Sequence, residues 1–209
     1  MGMTISLTEA GKRFNREWIF RRLSYEFRPS VPCAIVGPNG SGKSTLLQIL
    51  SGALTLNEGR IRFALNGSDE ATDPAGVYRF VSLCAPYLEL VEEMTLREFL
   101  EFHQGFKSFL PGITGETIIQ RIGLENAATK QIRHFSSGMK QRVKLAQAIF
   151  SNSEALLLDE PCTNLDAAGV EMYGQLIADY SGGRLVIVSS NDPQEYRFCR
   201  EQIDITKWK

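Results

Sequence analysis

The clearest functional motif of this 209-residue chain is the run Gly37-Pro38-Asn39-Gly40-Ser41-Gly42-Lys43-Ser44-Thr45. The run fits the pattern G-x-x-x-x-G-K-[ST], in which a glycine-rich backbone closes its N–H groups around phosphate oxygens. Lys43 would bridge the outer phosphates, and the Ser44 hydroxyl would coordinate Mg²⁺. An incidental glycine turn is the alternative, but the run lies between a strand pattern and a helix pattern, as the motif requires. The run therefore predicts a phosphate-binding loop.

Two adjacent carboxylates, Asp159 and Glu160, follow the apolar run 155–158. If that run is a strand of a parallel sheet, its carboxyl end faces the ligand. Asp159 would then hold Mg²⁺ directly or through water, while Glu160 would face another direction and polarise an attacking water. A solvated acidic turn is the alternative, which the accompanying phosphate loop disfavours.

These groups need a scaffold, and the hydrophobic pattern predicts its elements. Apolar and polar residues alternate at Ile5 and Leu7, over 23–27 and over 61–65, which is typical of half-buried antiparallel strands. Thr95 and Glu98 form a capping-box pattern at the start of a helix. The other expected strands cover 31–36, 79–83, 155–158 and 185–188, and the other expected helices cover 44–50, 115–124, 139–150, 167–180 and a segment that opens at 192–193. Strands that alternate with helices predict a parallel sheet covered on both faces, hence an α/β fold.

The composition limits the classes of protein to which this chain could belong. With 43% apolar and 22% charged residues, the chain can build a sizeable core. A net charge of -1 and a pI of about 6.2 argue against a nucleic-acid or anionic-lipid partner. The apolar runs are short, whereas a membrane-spanning helix needs about 20 residues, so we expect neither a span nor a signal peptide. The cysteines form no C-x-x-C pair, which disfavours a zinc site: Cys33, Cys84, Cys162 and Cys199.

Two further segments resemble motifs of a known protein family. Phe135-Ser136-Ser137-Gly138-Met139-Lys140-Gln141-Arg142 resembles the Leu-Ser-Gly-Gly-Gln signature of ATP-binding-cassette (ABC) ATPases, and Thr163-Asn164-Leu165-Asp166 resembles their D-loop. The resemblance implies a P-loop NTPase core with a mostly parallel sheet, an N-terminal antiparallel β region and a helical insertion at about 86–137. It also implies that residues 1–209 form a single ABC ATPase domain.

The resemblance implies a nucleotide-driven dimer. In the family, two cassettes pair head to tail around two ATP molecules, and each ATP touches the phosphate loop of one subunit and the signature of the other. Nucleotide contacts are therefore expected from Ser136, Ser137, Gly138, Met139 and Asp166. The physics agrees, because a helix that begins at the signature would direct its N-terminus at the γ-phosphate.

The family also stacks an aromatic side chain on adenine. Phe14, near the start of the first β region, is the best match, and Trp18 is a rival. Packing within the β layer is the alternative for Phe14, since aromatic residues are common in strands.

The partners that the resemblance implies are a second cassette subunit and a separate transmembrane permease. A homodimer is expected on ATP binding, and the subunit would lie on the cytoplasmic face of the membrane through its permease. An apolar and acidic stretch would receive the permease, with ordinary packing as the alternative; its apolar members are Tyr87, Leu88, Leu90, Val91 and Met94.

Two departures from the family pattern bear on the rate of hydrolysis. Asn191 stands where the family places a His that contacts the γ-phosphate, and we expect Asn191 to take over part of that catalytic role. No Gln lies between Gln48 and Gln104, so Ala85 or a neighbour replaces the usual Gln at the start of the insertion. His103 and His134, the two histidines, are expected to be structural. We therefore expect slow hydrolysis of Mg·ATP.

Three functions remain open at this stage. The first is the ATPase subunit of a membrane transporter. The second is an ABC ATPase that acts on DNA or ribosomes, which the near-neutral charge and the absence of a heptad repeat between Lys43 and Ser136 disfavour. The third is a cassette that senses nucleotide or hydrolyses it slowly, paired with a different cassette that supplies the missing groups.

Overall fold

The computed structural model describes residues 2–65 and 74–209. These residues form two compact units. The first unit contains the described part of Met1–Leu83 together with Ser153–Asp159 and Gly183–Lys209, and the second contains Cys84–Asn152 and Glu160–Gly182. The single ABC ATPase domain over 1–209, with its insertion at about 86–137, stays a prediction.

Strands and helices alternate along most of the chain. Within the described residues, the strands are β1 (Met3–Phe14), β2 (Glu17–Phe27), β3 (Cys33–Val36), β4 (Glu58–Leu65), β5 (Val81–Cys84), β6 (Ala155–Asp159), β7 (Leu185–Ser189) and β8 (Glu201–Asp204). The α-helices are α1 (Lys43–Leu50), α2 (Leu96–Phe106), α3 (Gly115–Arg121), α4 (Ser137–Phe150), α5 (Ala167–Tyr180) and the single turn α6 (Pro193–Tyr196). Short 3₁₀ turns lie at Pro74–Arg79, Glu125–Ala127, Ile132–His134 and Ile205–Trp208.

Three strands of the first unit form an antiparallel sheet in the order β2-β1-β4. Ile5 of β1 pairs with Phe27 of β2 and with Phe63 of β4, and all three side chains are buried. Alternate residues therefore face the core, as the period-two pattern predicts. The pairing is irregular at Gly59, where φ is +77° and a Cβ would lie 2.2 Å from the carbonyl oxygen of Glu9. Only glycine fits this position.

The second sheet has the strand order β5-β6-β7-β3-β8. β6 pairs in parallel with β7, and β3 pairs in parallel with both β7 and β8. Residues 155–158 and 185–188 are almost completely buried, which explains why these strands are apolar throughout rather than alternating. The predicted α/β fold with its largely parallel sheet is confirmed.

Three details of this sheet region differ from the prediction. β5 begins at Val81 rather than at residue 79, because Pro74–Arg79 forms a 3₁₀ turn. β8 is not predicted by the pattern, since Ile203 is its one apolar residue. β3 begins at Cys33 rather than at residue 31. The helix predicted to open at 192–193 is present as the single turn α6, capped by the Asp192 side chain.

A charged side chain lies inside the first unit. Arg184 is 6% exposed, and its Nη2 donates to Ser82 Oγ at 3.0 Å and to Ser153 Oγ at 2.5 Å. The two serine hydroxyls bond to each other at 2.8 Å. Burial lowers the pKa of the guanidinium to about 10, because desolvation disfavours its charged form. These bonds connect β5 with the residues that precede β6 and β7.

The second unit contains α2 to α5. The predicted capping box opens α2: Thr95 Oγ1 accepts from the Glu98 N–H at 3.3 Å, and Glu98 Oε2 accepts from the Thr95 N–H at 2.8 Å. α3 ends at Arg121 rather than at residue 124, since the backbone turns at Gly123 with φ = +67°. Throughout 2–65 and 74–209, no helix is long and apolar enough to cross a membrane.

A histidine is held between α2 and α4 in the second unit. Gln147 Nε2 lies 3.2 Å from His103 Nδ1, and Ser151 Oγ donates to the Gln147 carbonyl at 2.5 Å. His103 Nε2 lies 2.9 Å from Ser151 Oγ, so this network assigns the proton to Nε2. Burial lowers the pKa of His103 to about 4, with a smaller contribution from Lys107. These contacts support the structural role expected for His103, while His134 is exposed.

Candidate functional site

The phosphate loop lies between β3 and α1 in the first unit, where the pattern predicts it. Gly40 and Gly42 have φ of +76° and +104°, in the left-handed region that glycine adopts without strain. A Cβ at Gly42 would lie 2.2 Å from Cγ2 of Ile19, so a side chain is excluded there. Ser44 and Thr45 are half-buried in the first turn of α1, whose free N–H groups attract anions.

Two polar side chains of the loop are buried. Lys43 is 5% exposed, and its Nζ donates to the carbonyl oxygens of Gly37 at 2.8 Å and of Pro38 at 3.4 Å. Ser41 is 1% exposed, and its hydroxyl has no hydrogen-bond partner among the described residues. A buried hydroxyl without a partner costs free energy, and a phosphate oxygen is the kind of acceptor that would satisfy it.

Asp159 is the last residue of β6 and is 2% exposed. Ser189, the last residue of β7, lies opposite it in the parallel register, and its Oγ donates to Asp159 Oδ1 at 2.6 Å. No sequence motif includes Ser189; its one distinguishing feature in the sequence is a hydroxyl directly after the apolar run 185–188. Glu160 follows directly, half-buried, with φ of +44°.

Asn191 contacts the phosphate loop. Its Nδ2 donates to Asn39 Oδ1 at 2.7 Å, and both residues are exposed. The amide at the position of the family's His is thus within the phosphate-loop region of the first unit. This contact depends on how the chain folds, and no sequence pattern predicts it.

The two candidates for adenine stacking have different surroundings. Phe14 is the last residue of β1 and is 48% exposed, with Lys12 Nζ 5.2 Å from its ring centroid. Trp18 is half-buried, and the guanidiniums of Arg13 and Arg21 lie 5.5 and 4.6 Å from its ring. Phe14 therefore offers the more accessible ring.

The donor set of the first unit fits a magnesium nucleotide. Mg²⁺ takes oxygen ligands and is commonly held by one or two carboxylates together with substrate phosphates. The Ser44 hydroxyl and the Asp159 carboxylate are such oxygens, and the Ser41 hydroxyl lacks an acceptor within 2–65 and 74–209. Over the ranges that the structure describes, no group of three or more His, Cys, Asp and Glu side chains could hold a metal ion by itself.

The signature lies at the start of α4 in the second unit. Ser136 is the N-cap, and its hydroxyl accepts from the Met139 N–H at 3.2 Å. A Cβ at Gly138 would lie 3.0 Å from the Asn164 carbonyl oxygen, so a larger residue would crowd the D-loop. Signature and D-loop line one cavity of about 470 Å³, together with residues 123–124 and Arg142. The structure thus brings together Ser136, Ser137, Gly138, Met139 and Asp166.

Two side chains of α4 connect the signature with the loop that follows β6. Arg142 Nη1 donates to the Ile122 carbonyl at 3.1 Å, and its Nη2 donates to Asp166 Oδ1 at 3.3 Å. Asp166 also accepts from the Gly169 N–H at 2.8 Å, which is the main reason why the pKa of this carboxyl is lowered. Gln141, 3% exposed, donates from Nε2 to the carbonyl oxygen of residue 161 at 2.7 Å. In the sequence, Gln141 and Arg142 stand out only as members of the signature motif.

The stretch expected to receive a permease is partly exposed. Tyr87, Leu88 and Val91 are 46%, 37% and 38% exposed, whereas Leu90 is buried and Met94 half-buried. The stretch therefore contains buried residues, which pack within the unit, and exposed residues, which are available to a partner. The adjacent Glu92 accepts from Lys140 Nζ at 2.5 Å. Ala85, which with its neighbours is expected at the place of the family's Gln, is 0% exposed and has no polar side chain.

Known proteins are similar to this chain in sequence and in fold. The model of the ABC transporter family matches residues 20–163. The cytochrome c biogenesis ATP-binding export protein CcmA of Agrobacterium fabrum is 28% identical over 195 residues, which are 91% of this chain and 90% of that protein. The phospholipid-transporting ATPase ABCA7 of Homo sapiens is 29% identical over 206 residues, which are 96% of this chain but only 10% of that protein.

Solved structures agree on the fold. The dimeric structure of MJ0796, a bacterial ABC transporter cassette, superposes with a TM-score of 0.77 at 23% identity and covers 96% of this chain and 94% of that one. The phosphate loop, the acidic strand end and the signature helix occur here in one chain that the family model matches over most of its length. The chain therefore belongs to the ABC transporter family, as an ATP-binding cassette.

Proposed function

We propose that this chain binds and hydrolyses ATP to power an ABC membrane transporter, through nucleotide-driven head-to-tail pairing of two cassettes. One observation carries the proposal. The chain has two helix N-termini suited to anions, one behind the phosphate loop at α1 and one behind the signature at α4. Two such sites in one subunit suit a dimer in which each ATP is held by both partners, and loss of the shared γ-phosphate releases it.

In the proposed function, each residue of the nucleotide site has a role in binding or hydrolysis. The loop backbone and Lys43 bind the phosphates, and Phe14 stacks on adenine. Ser44 and Asp159 hold Mg²⁺, which neutralises charge on the phosphate oxygens when it is bound. Glu160, next to Asp159 in sequence, accepts a proton from the attacking water. The signature and Asp166 contact the nucleotide of the partner cassette.

Hydrolysis is proposed to be slow. Asn191 reaches the phosphate-loop region through Asn39, but its amide cannot carry a positive charge as an imidazolium does. No Gln lies between Gln48 and Gln104, so Ala85 or a neighbour stands at the place of the family's Gln. Losing one polar contact to a transition state typically costs about 10²–10³ in rate, and Asn191 replaces part of that loss.

The proposed partners follow from family membership. A second copy of this chain completes the ATP sites, and a separate permease binds the exposed part of the stretch 87–94. The cassette then lies on the cytoplasmic face of the membrane, where ATP is available.

A single substitution tests the function. Glu160→Gln should lower Mg·ATP hydrolysis by about 10²-fold or more, because the base is lost, while ATP binding remains. Size-exclusion chromatography with light scattering should show the variant at twice the monomer mass in ATP. Glu171→Gln, an exposed carboxylate on α5, serves as the matched control and should hydrolyse at the wild-type rate. Hydrolysis by Glu160→Gln at the wild-type rate would contradict the assignment.

The second candidate is a nucleotide-sensing or slow cassette that pairs with a different cassette. The observation in its favour is the pair of departures at Asn191 and Ala85. Binding of Mg·ATP without measurable turnover by the wild-type chain would favour this candidate.

A further inference from the structure

Ser189 is a polar residue at the end of an apolar strand. The residues before it in β7, 185–188, are apolar and buried. Ser189 itself is 0% exposed. A buried hydroxyl costs free energy unless a hydrogen bond replaces its lost hydration, so the identity of its partner matters.

The partner is the carboxylate that ends the neighbouring strand. Asp159 and Ser189 are opposite in the parallel register of β6 and β7, and Ser189 Oγ donates to Asp159 Oδ1 at 2.6 Å. Both residues are almost completely buried, so water does not compete for this bond. A short bond from a hydroxyl to an ionised carboxylate fixes the rotation of the carboxyl group and the direction of its other oxygen.

We infer that Ser189 is a positioning residue, which fixes the orientation of the Asp159 carboxylate that would hold Mg²⁺. The inference rests on the proposed function, in which Asp159 holds the metal. Hydrogen-bond partners behind a ligating side chain raise metal affinity, and their loss typically costs about 10- to 100-fold. Ser189 should therefore set the affinity for Mg²⁺ without contributing to the binding of metal-free nucleotide.

The adjacent residue provides a matched control. Ser190 is 1% exposed, and its hydroxyl accepts from the Asp192 N–H at 2.9 Å. Ser190→Ala removes a hydroxyl of equal burial one residue away, but it leaves the bond to Asp159 in place.

The experiment follows a fluorescent ATP analogue as it binds the full chain, first in EDTA and then at increasing Mg²⁺. Ser189→Ala should need about tenfold more Mg²⁺ for its half-maximal effect, while its affinity in EDTA equals that of wild type. Ser189→Cys, which keeps the size but has a weak donor, should shift in the same way and covers the case in which the alanine variant does not fold. Ser189→Thr keeps the hydroxyl and should stay near wild type, as should Ser190→Ala.

The outcomes of this experiment distinguish the positioning role of Ser189 from the proposed function of the chain. An unshifted Mg²⁺ titration for Ser189→Ala and Ser189→Cys overturns the positioning role, as does an equal loss of affinity in EDTA. A shift shared by Ser190→Ala also overturns it, because a general disturbance of the strand end then explains the effect. A wild-type chain that binds no nucleotide with Mg²⁺ overturns the proposed function as well.

Discussion

Asn191 and Asn39 form a side-chain contact that joins the end of the parallel sheet to the phosphate loop. The Nδ2–Oδ1 distance is 2.7 Å, and both amides are exposed. In this arrangement Asn191 contacts the loop, and under the proposed function it also contacts the phosphates bound there. Its loss would therefore affect the geometry of the loop in addition to removing one donor.

Substitutions at Asn191 test this role. Asn191→Ala should lower kcat for ATP by about tenfold or more, because a polar contact near the transferred phosphate is lost. Asn191→His should hydrolyse faster than wild type, since an imidazole is longer and can carry a positive charge. Steady-state hydrolysis and ATP affinity are measured for both, with Asn126→Ala, an exposed turn residue, as the control. An alanine variant as fast as wild type would remove Asn191 from the mechanism.

The sequence predicts the elements on which the candidate site residues lie better than it predicts the contacts of those residues. The loop 37–45, Asp159 and the signature 136–139 lie on the expected elements, because local patterns of glycine, charge and apolar residues determine those elements. The bonds of Ser189 to Asp159 and of Asn191 to Asn39 join residues far apart in the chain. They depend on strand order and register, which no local pattern determines. The assigned roles themselves stay predictions.

At the scale of elements, the accuracy of the prediction follows the strength of the local signal. α2 has a capping box and α5 a long apolar stripe, and both helices lie where the pattern places them. β8 has one apolar residue and is recognised only through its pairing with β3. Weakly patterned edge strands therefore escape sequence analysis.

Substitution of glycine by alanine should have opposite effects on the free energy of unfolding at Gly59 and at Gly105. Gly59→Ala should lower the free energy of unfolding by more than about 2 kcal/mol, because φ is positive and the Cβ would overlap the Glu9 carbonyl. Gly105→Ala should raise it by about 0.5–1 kcal/mol, since Gly105 lies in α2 with open space around its Cβ. Urea unfolding monitored by circular dichroism measures both. Equal changes in the two variants would refute the backbone argument.

At the scale of the whole molecule, we expect the burial of His103 to make the free energy of unfolding depend on pH. Its pKa in the folded protein, about 4, lies below the ordinary value of 6.5. Between these values the unfolded chain binds a proton that the folded chain does not, so the contribution of His103 to stability is present above pH 6.5 and is lost as the pH falls towards 4.

A variant isolates this contribution. His103→Gln should flatten the decline of Tm between pH 6.5 and 4, whereas His134→Gln, at an exposed position, should decline as wild type does. Scanning calorimetry over this range measures the slopes. If His103→Gln and wild type have the same slope, protonation of His103 does not couple to folding.

The buried group of Arg184, Ser82 and Ser153 constrains how this sequence can change over evolutionary time. Each member bonds to the other two, and each comes from a different part of the chain. Replacing one serine by a larger or apolar residue would leave a buried guanidinium short of acceptors. Substitution of the arginine without loss of stability should therefore need coordinated changes, and we expect the three positions to change together rather than independently.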